Sequence, residues 1–424
     1  MIDPTDNAFA YSNAPGGDGT PGTATTQVID KYARKAVVAS SIGYALDGFD
    51  LLILSFALTG IIASFGITTT QAGFLTTLTL LGAVVGGIVF GVLSDRLGRV
   101  RMLMWSILLF AVFTGLSATA QGFADLGIYR FIAGIGIGGE FGIGMTLAAE
   151  AVPSRWRARA TSAVAVGFQL GVLAAALLSA PIIALLGWRG LFVVGTFPAV
   201  LAVILRKRLH ESPKFVQQGA ESKTSLLDAM KLLVADPATV RITIAMVILT
   251  SVQNFGYYGI ITWLPSYLST QLGLGVTKGS LWTAVTVLGM LLGIVTFGQA
   301  ADRVGRRPAF WVFQAGAAAS VLVYSQLTAP IALLVGGFIM GIFANGMLGG
   351  YGALMAELYS TKVRATAQNV LFNIGRGIGG FAPVVMAGLA ATHGFGFALA
   401  LLSVIYVLAF VTMFFVPDRR TAEL

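Results

Sequence analysis

From Ala36 onward the chain is a succession of apolar stretches, each near the roughly 20 residues that an α-helix needs to cross a bilayer. They run over residues 36–63, 72–93, 102–120, 124–149, 160–184 and 188–206. After a polar interval they resume at 241–264, 279–300, 309–328, 330–356, 366–391 and 396–416, which makes twelve. No other feature limits the fold so tightly. In hydrocarbon every backbone polar group must find its partner inside the structure, so only helices and closed barrels span a membrane. Charged residues make up 11% of the chain, against about 25% in a soluble domain. The expectation is an all-α, multi-pass membrane protein with twelve transmembrane helices.

The first 29 residues are polar, with neither a basic start nor an apolar core, so they read as a flexible cytoplasmic tail and not as a signal peptide. The basic residues set the orientation. With the amino terminus inside, 23 of the 27 Lys and Arg fall in or beside cytoplasmic segments. Arg189 and Lys278 lie in outer loops, while Arg130 and Arg376 lie within spans. That bias follows the positive-inside rule and places both termini in the cytoplasm. It also removes nucleic acid as a partner, because the positive charges flank spans and form no single face. Cys 0 and His 2 leave no thiolate or imidazole metal cluster. His210 and His393 fall in loops. The glycine runs at Gly134–Gly139 and Gly375–Gly380 mimic a dinucleotide-binding pattern but follow no β-strand. Small residues at such spacing let helices approach closely.

An internal repeat organises the spans. GVLSDRLGR (Gly91–Arg99) follows the second span and GQAADRVGR (Gly298–Arg306) follows the eighth, 207 residues later. The same offset carries Glu150 and Arg157 after the fourth span onto Glu357 and Arg364 after the tenth. Two motifs sharing one offset imply two pseudo-symmetric six-helix halves at 36–206 and 241–416. A polar cytoplasmic loop at 207–240 joins them, with tails at 1–35 and 417–424.

The paired G-x-x-x-D-R-x-G-R loops resemble the signature of the major facilitator superfamily, over essentially everything after Ala36. LDGFD (Leu46–Asp50) is similar to an element of aromatic-acid/proton symporters. YRFIAGIGIGGE (Tyr129–Glu140) and HESPKF (His210–Phe215) resemble sialate- and monocarboxylate-type symporters and sugar-porter relatives. The resemblance implies a secondary active transporter working by alternating access in a plasma membrane, the inner membrane of a bacterium. The expectation is further of no enzymatic activity, no cofactor beyond protons as coupling ion, and function as a monomer.

An ionisable residue near mid-span is a functional candidate by default. Asp47, Asp50, Arg130, Glu140 and Arg376 qualify. Asp47 and Asp50 are three apart near the middle of the first span, at a depth where one of them can meet Arg130 of the fourth. Such a group can couple protons, or it can be a permanent ion pair tying two helices. Glu140 is open between coupling and a structural bond. Arg376 lies near the midplane of the eleventh span, and no acid lies in spans 7, 8, 9, 11 or 12. Its planar fork suits a carboxylate; Asn373, Asn369 and helix-end carbonyls are the structural alternative. The offset takes Asp47 to Asn254, Asp50 to Tyr257 and Gln169 to Arg376, so the first half keeps acids where the second keeps neutral hydrogen-bonding groups, and the second has a cation where the first has an amide. Asn254, Tyr257, Gln169, Asn345 and Asn373 are further candidates for substrate contact. Tyr258 reads as packing, and Trp263 as an anchor at the outer membrane interface. Asp95, Arg96 and Arg99, with Asp302, Arg303 and Arg306 and the second motif's Glu150, Arg157, Glu357 and Arg364, form a candidate cytoplasmic gate.

These features point to proton-coupled uptake of a small organic anion, such as an aromatic carboxylate. A monoanion accompanied by more than one proton would be driven inward by the membrane potential. An exporter or antiporter of a similar metabolite would use the same residues.

Overall fold

The computed structural model describes residues 31–152, 157–206, 231, 233–359 and 361–417; residues 1–30 and most of the 207–240 interval lie outside them. The described chain is helical. Helices α1 (Lys31–Phe65), α2 (Thr69–Leu97), α3 (Arg99–Ser117), α4 (Phe123–Ala151) and α5 (Arg157–Arg206) come first. Helix α6 (Pro237–Ser266) continues into a single π-turn at Tyr267–Gln271. Then follow α7 (Gly275–Val304), α8 (Arg306–Tyr324), α9 (Pro330–Gly346), α10 (Leu348–Leu358), α11 (Thr361–Gly379), α12 (Ala382–His393) and α13 (Phe395–Thr412).

Local chemistry sets the ends of these helices. Thr68 and Gln71 cap α2 reciprocally, Gln71 N–H donating to Thr68 Oγ1 at 3.2 Å and Thr68 N–H to Gln71 Oε1 at 2.9 Å. Asp236 caps α6 ahead of Pro237, whose missing N–H costs nothing at a first helical position. The Thr239 hydroxyl, and then the Thr239 and Ala238 amides, hold the Asp236 carboxyl below the usual range. Between α2 and α3 stands Gly98 at φ 103°, and between α7 and α8 stands Gly305 at φ 98°. The second glycine of each repeated loop motif therefore adopts a backbone that side chains resist.

Among the described residues ten helices are long and apolar enough to cross a membrane. Two features separate that number from the expected twelve. The stretch Ser162–Phe197 counts once because the helix hydrogen bonding runs through a kink at Gly187, φ 66°. That kink sits in the gap expected between 184 and 188. Helix α8 covers most of the expected 309–328 but opens on Arg306 and Arg307 and carries Gln314, which lowers its apolar content. The stretches at 330–356 and 366–391 are each broken, at Met347 and near Gly380.

Helix α1 packs along α5, α2 along α4, and α3 against both α4 and α5. Later in the chain α6 packs along α11, α7 along α9, and α8 against α9 and α13. The repeat reaches down to single contacts. A Cβ on Gly82 or Gly86 would fall 2.1 or 1.9 Å from the carbonyl oxygens of Phe131 and Ile135. The residues 207 later behave alike: Gly289 and Gly293 would strike the carbonyls of Phe338 and Ile342 at 2.1 and 2.2 Å. These helices touch backbone to backbone, which is how helices associate where lipid competes equally for apolar side chains.

The two groups of helices meet through α1 on α6, α2 on α12 and α11, and α5 on α7. Thr59 Oγ1 donates to Ser266 Oγ at 3.3 Å, and these two residues are themselves 207 apart. Repeat equivalents that touch each other mark the pseudo-two-fold axis. Beside them is a cavity of about 260 Å³ lined by Thr59, Ile62, Trp263, Ser266, Tyr267 and Phe395 among others.

Candidate functional site

Arg376 points into the seam between the two groups of helices. It is 4% exposed and lines a cavity with Tyr44 of α1, Phe168 of α5, and Gln253, Asn254, Tyr257 and Tyr258 of α6. Asn345 of α9, Leu348 of α10 and Phe372 of α11 complete the lining. The rings form a chain across the seam: Tyr44 to Phe168 at 4.7 Å, Phe168 to Tyr257 at 6.2 Å and Tyr257 to Tyr258 at 5.4 Å between centroids. Arg376 hydrogen-bonds with the hydroxyls of Tyr44 and Tyr258 and interacts electrostatically with Asp47. The cavity is about 20 Å³, room for about one water molecule.

Several polar atoms around it have no protein partner. They are the Tyr257 hydroxyl, Asn345 Nδ2 and Gln253 Oε1; both amide atoms of Gln169, which does not line the cavity, are likewise without one. Gln169 is fully buried next in sequence to Phe168. Leaving such groups unsatisfied costs about 1–3 kcal/mol apiece, so those that line the cavity are available to polar atoms of a ligand. The remaining polar atoms are held. Gln253 Nε2 donates to Asn345 Oδ1 at 3.1 Å and to the Ala344 carbonyl at 3.3 Å. Asn254 Nδ2 donates to the Thr250 carbonyl at 2.8 Å. Asn373, three residues before Arg376, lies over Gly87 of α2, where an added Cβ would come within 3.3 Å of its Oδ1.

A second charged cluster lies within the N-terminal helices. Asp50 is fully buried and receives both ends of the Arg130 guanidinium: Nη1 donates to Oδ1 at 3.1 Å and Nη2 to Oδ2. Thr114 Oγ1 of α3 donates to the same Oδ1 at 3.1 Å, and Arg130 Nε reaches Thr79 Oγ1 of α2 at 3.4 Å. The guanidinium also lies 5.6 Å from the centre of the Phe192 ring. This one network joins α1, α2, α3, α4 and α5. Glu140, ten residues further along α4, is buried as well.

The two acids of the first span therefore separate. Three residues turn a helix by about 300°, leaving Asp47 and Asp50 about 60° apart around α1. Asp50 faces α3 and α4, while Asp47 faces Arg376. Among the described residues no acid lines the cavity beside Arg376; the carboxylate that acts on it electrostatically, Asp47, comes from α1 on the other side of the seam. Tyr258, expected as packing, lines the cavity. Trp263, expected as an interface anchor, is 3% exposed and donates its Nε1–H to the Pro383 carbonyl at 2.9 Å, clamping α6 to α12. His393 ends α12 instead of lying in a loop, and contacts the Thr392 hydroxyl.

Of the loop-motif residues, Arg306 Nε donates to Glu357 Oε1 at 3.1 Å, bridging the start of α8 to the end of α10. Arg303 is exposed and Arg99 half-buried. The side chains of Asp95, Arg96, Glu150, Arg157, Asp302 and Arg364 lie outside those described, as does His210. Tyr44, Phe168, Gln253 and Phe372 escaped the sequence reading. Only the rotation of each helix distinguishes a cavity aromatic from a core one.

A membrane-embedded helical bundle with an internal two-fold repeat and a small polar cavity at the seam defines a secondary transporter. The sequence profile of the Major Facilitator Superfamily matches residues 40–284 and 267–424, and the chain belongs to that family. It is not an enzyme. A Haemophilus influenzae protein named "Putative metabolite transport protein" is 57% identical over 93% of this chain and 98% of its own length. The cis,cis-muconate transport protein of Acinetobacter baylyi is 31% identical over 88% of this chain and 92% of its own. The sialic acid transporter of Escherichia coli is 29% identical over 94% and 98%. Among solved structures, a D-xylose–proton symporter superposes with a TM-score of 0.80 at 21% identity, covering 93% of this chain and all of that one. At that identity the likeness concerns the fold.

Proposed function

We propose that this transporter carries a small organic anion, an aromatic or conjugated carboxylate, together with protons, and that Arg376 binds the carboxylate. The carrying observation is the company Arg376 keeps: a buried guanidinium among five aromatic rings, with a hydroxyl and amide atoms that have no protein partner. A guanidinium meets a carboxylate with two parallel hydrogen bonds, aromatic faces suit a flat ring or diene, and the orphaned amides of Asn345 and Gln253 can complete the oxygen contacts. Asn254, Asn373 and Gln169 support the same site. Of the four ionisable candidates of the N-terminal helices, Asp47 and Glu140 handle the proton, while Asp50 and Arg130 form the permanent pair that ties α1 to α4. The muconate-carrying relative supports the acid class, as its name concerns an unsaturated dicarboxylate.

In this reading the kinked α5 and the less apolar α8 also cross, giving twelve helices in two six-helix halves with both termini cytoplasmic. Thr59 and Ser266 then lie at the outer end, and the Arg306–Glu357 pair belongs to the cytoplasmic gate with its repeat counterparts. The carrier works as a monomer in the inner membrane of a bacterium. A 20 Å³ cavity is far below the roughly 300 Å³ and more of small-molecule sites, so substrate reaches Arg376 only when the lining parts. The breaks at Met347, two residues from Asn345, and near Gly380, four from Arg376, give that motion places to occur.

The test is a thermal-shift screen of the purified protein against carboxylates and their amides. Arg376→Ala is expected to lose binding of the best acid tenfold to a hundredfold, as the loss of a charge-assisted bond worth about 1.5–3 kcal/mol requires. Equal binding of acid and amide, or native affinity in Arg376→Ala, overturns the reading.

A further inference from the structure

At the end of the seam where Thr59 meets Ser266 the helices leave a cavity of about 260 Å³, against about 20 Å³ beside Arg376. Five hydroxyls line it: Thr59 of α1, Thr69 of α2, Ser266 of α6, and Tyr267 and Thr270 of the π-turn. Trp263, Tyr267 and Phe395 give it aromatic walls, the last two with ring centroids 4.7 Å apart. No carboxylate, ammonium, guanidinium or imidazole is among the lining side chains. Thr59 and Thr270 are exposed, so the cavity is open at its rim.

The repeat does not demand this cavity. The residues 207 before Tyr267 and Phe395 are Gly60 and Trp188. There the indole closes directly onto the helix: a Cβ on Gly60 would lie 2.7 Å from Trp188 Cδ1, and the Trp188 Nε1–H donates to Ser64 Oγ at 2.9 Å. In the later group of helices a tyrosine stands at the glycine position, and space opens between its ring and α1. The π-turn carrying Tyr267 and Thr270 is a geometry rare in helices and frequent at functional sites. The Thr59–Ser266 hydrogen bond is 3.3 Å long, beyond the roughly 2.7–2.8 Å of a favourable hydroxyl pair, so both hydroxyls keep capacity for another partner.

We propose that this cavity is a second ligand site, distinct from the one at Arg376, and that it takes a single aromatic ring bearing uncharged hydroxyl groups. Each lining hydroxyl can donate and accept, and the ring faces suit a flat apolar body. An ion would give up hydration here and find no opposite charge. A cavity of about 150 Å³ accommodates benzene, so 260 Å³ holds one ring with its substituents. Both groups of helices line the site, so it is whole only while this end of the seam is shut. The inference does not depend on what Arg376 binds.

The experiment is equilibrium dialysis of the full chain in nanodiscs against p-hydroxybenzyl alcohol, with binding to empty nanodiscs subtracted. Saturable binding is expected, and Arg376→Ala should retain it. In that same variant p-hydroxybenzoate, the same ring with a carboxylate, should bind about tenfold more weakly than the alcohol or not at all. Tyr267→Ala removes a wall, and Thr270→Trp fills the cavity from its exposed rim, where a larger side chain disturbs no core. Each should weaken the alcohol about tenfold or more. Because the chain has no cysteine, Thr69→Cys introduces a lone thiol in the lining, and saturating alcohol should slow its alkylation by N-ethylmaleimide several-fold. The proposal is overturned if no saturable binding exceeds that of empty nanodiscs, if Arg376→Ala abolishes it, or if both lining variants bind like the native protein. Unprotected alkylation of Thr69→Cys overturns the location, and equal binding of the alcohol and the carboxylate in Arg376→Ala overturns the ligand class.

Discussion

At the scale of single residues, two aspartates three positions apart in one helix have different surroundings and therefore different tasks. Asp50 is enclosed by Arg130 and Thr114, and Arg130 in turn reaches Thr79 and Phe192. A buried pair of this kind adds little net stability when intact, but losing one partner strands a buried charge at a cost of about 3–5 kcal/mol. Asp50→Asn is therefore expected to lower the melting temperature of the purified protein sharply, and Asp50→Asn combined with Arg130→Gln to recover much of the loss. A single variant that melts like the native protein yet takes up no proton would instead make Asp50 a titrating group. Arg376, Asp47, Asp50, Arg130 and Glu140 were visible in the sequence, because any ionisable residue inside an apolar run stands out. Which acid meets which arginine was not visible. That depends on a rotation of about 60° around α1 and on how α1 and α11 face each other across the seam.

At the scale of helices, the repeat was legible from two loop motifs, yet the structure carries it further than those motifs do. Gly82 and Gly86 are each matched 207 residues later by a glycine in the same backbone contact, and Gly134 on the Thr79 carbonyl is matched by Gly341 on that of Thr286. The sequence lists these only as glycines in apolar runs, and contact partners on another helix leave no local mark. The motif's two glycines likewise look alike in sequence and differ in structure. Around Gly91 and Gly298 there is open space for a Cβ, whereas Gly98 and Gly305 hold φ near 100°. Non-glycine residues in such conformations cost about 1–3 kcal/mol each. Gly98→Ala and Gly305→Ala should therefore each reduce the yield and melting temperature of folded protein, while Gly91→Ala and Gly298→Ala leave the melt near native. Equal melting of all four variants would mean that the helix junctions are not set by backbone conformation. The break at Gly187 was anticipated as a gap between two apolar stretches. The breaks at Met347 and near Gly380 were not, because neither interrupts hydropathy.

For the whole molecule, the telling contact is the one between Thr59 and Ser266. Equivalent residues of a repeat can touch only beside the axis that relates them, so this hydroxyl pair marks where α1 and α6 converge. Around it α2 meets α12 closely: a Cβ on Gly73 would lie 2.7 Å from the Pro383 carbonyl, and Trp263 is bonded to that same carbonyl. This end of the seam is shut. If transport proceeds by rocking the two groups of helices about the cavity, Thr59 and Ser266 must separate once in every cycle. The absence of cysteine makes the motion directly testable, since any disulfide formed is the one introduced. Thr59→Cys combined with Ser266→Cys should cross-link under mild oxidation, because the two side chains already lie within hydrogen-bond distance and paired sulfurs need Cβ atoms roughly 4 Å apart. The oxidised protein should lose nearly all transport in proteoliposomes and regain it on reduction. Each single variant should transport through both treatments. Benzoate binding from the side opposite the cross-link should survive it, which separates a locked conformation from a damaged site. Transport that continues at the native rate in fully cross-linked protein would show that this end of the seam stays closed throughout the cycle, and that substrate reaches Arg376 by another path.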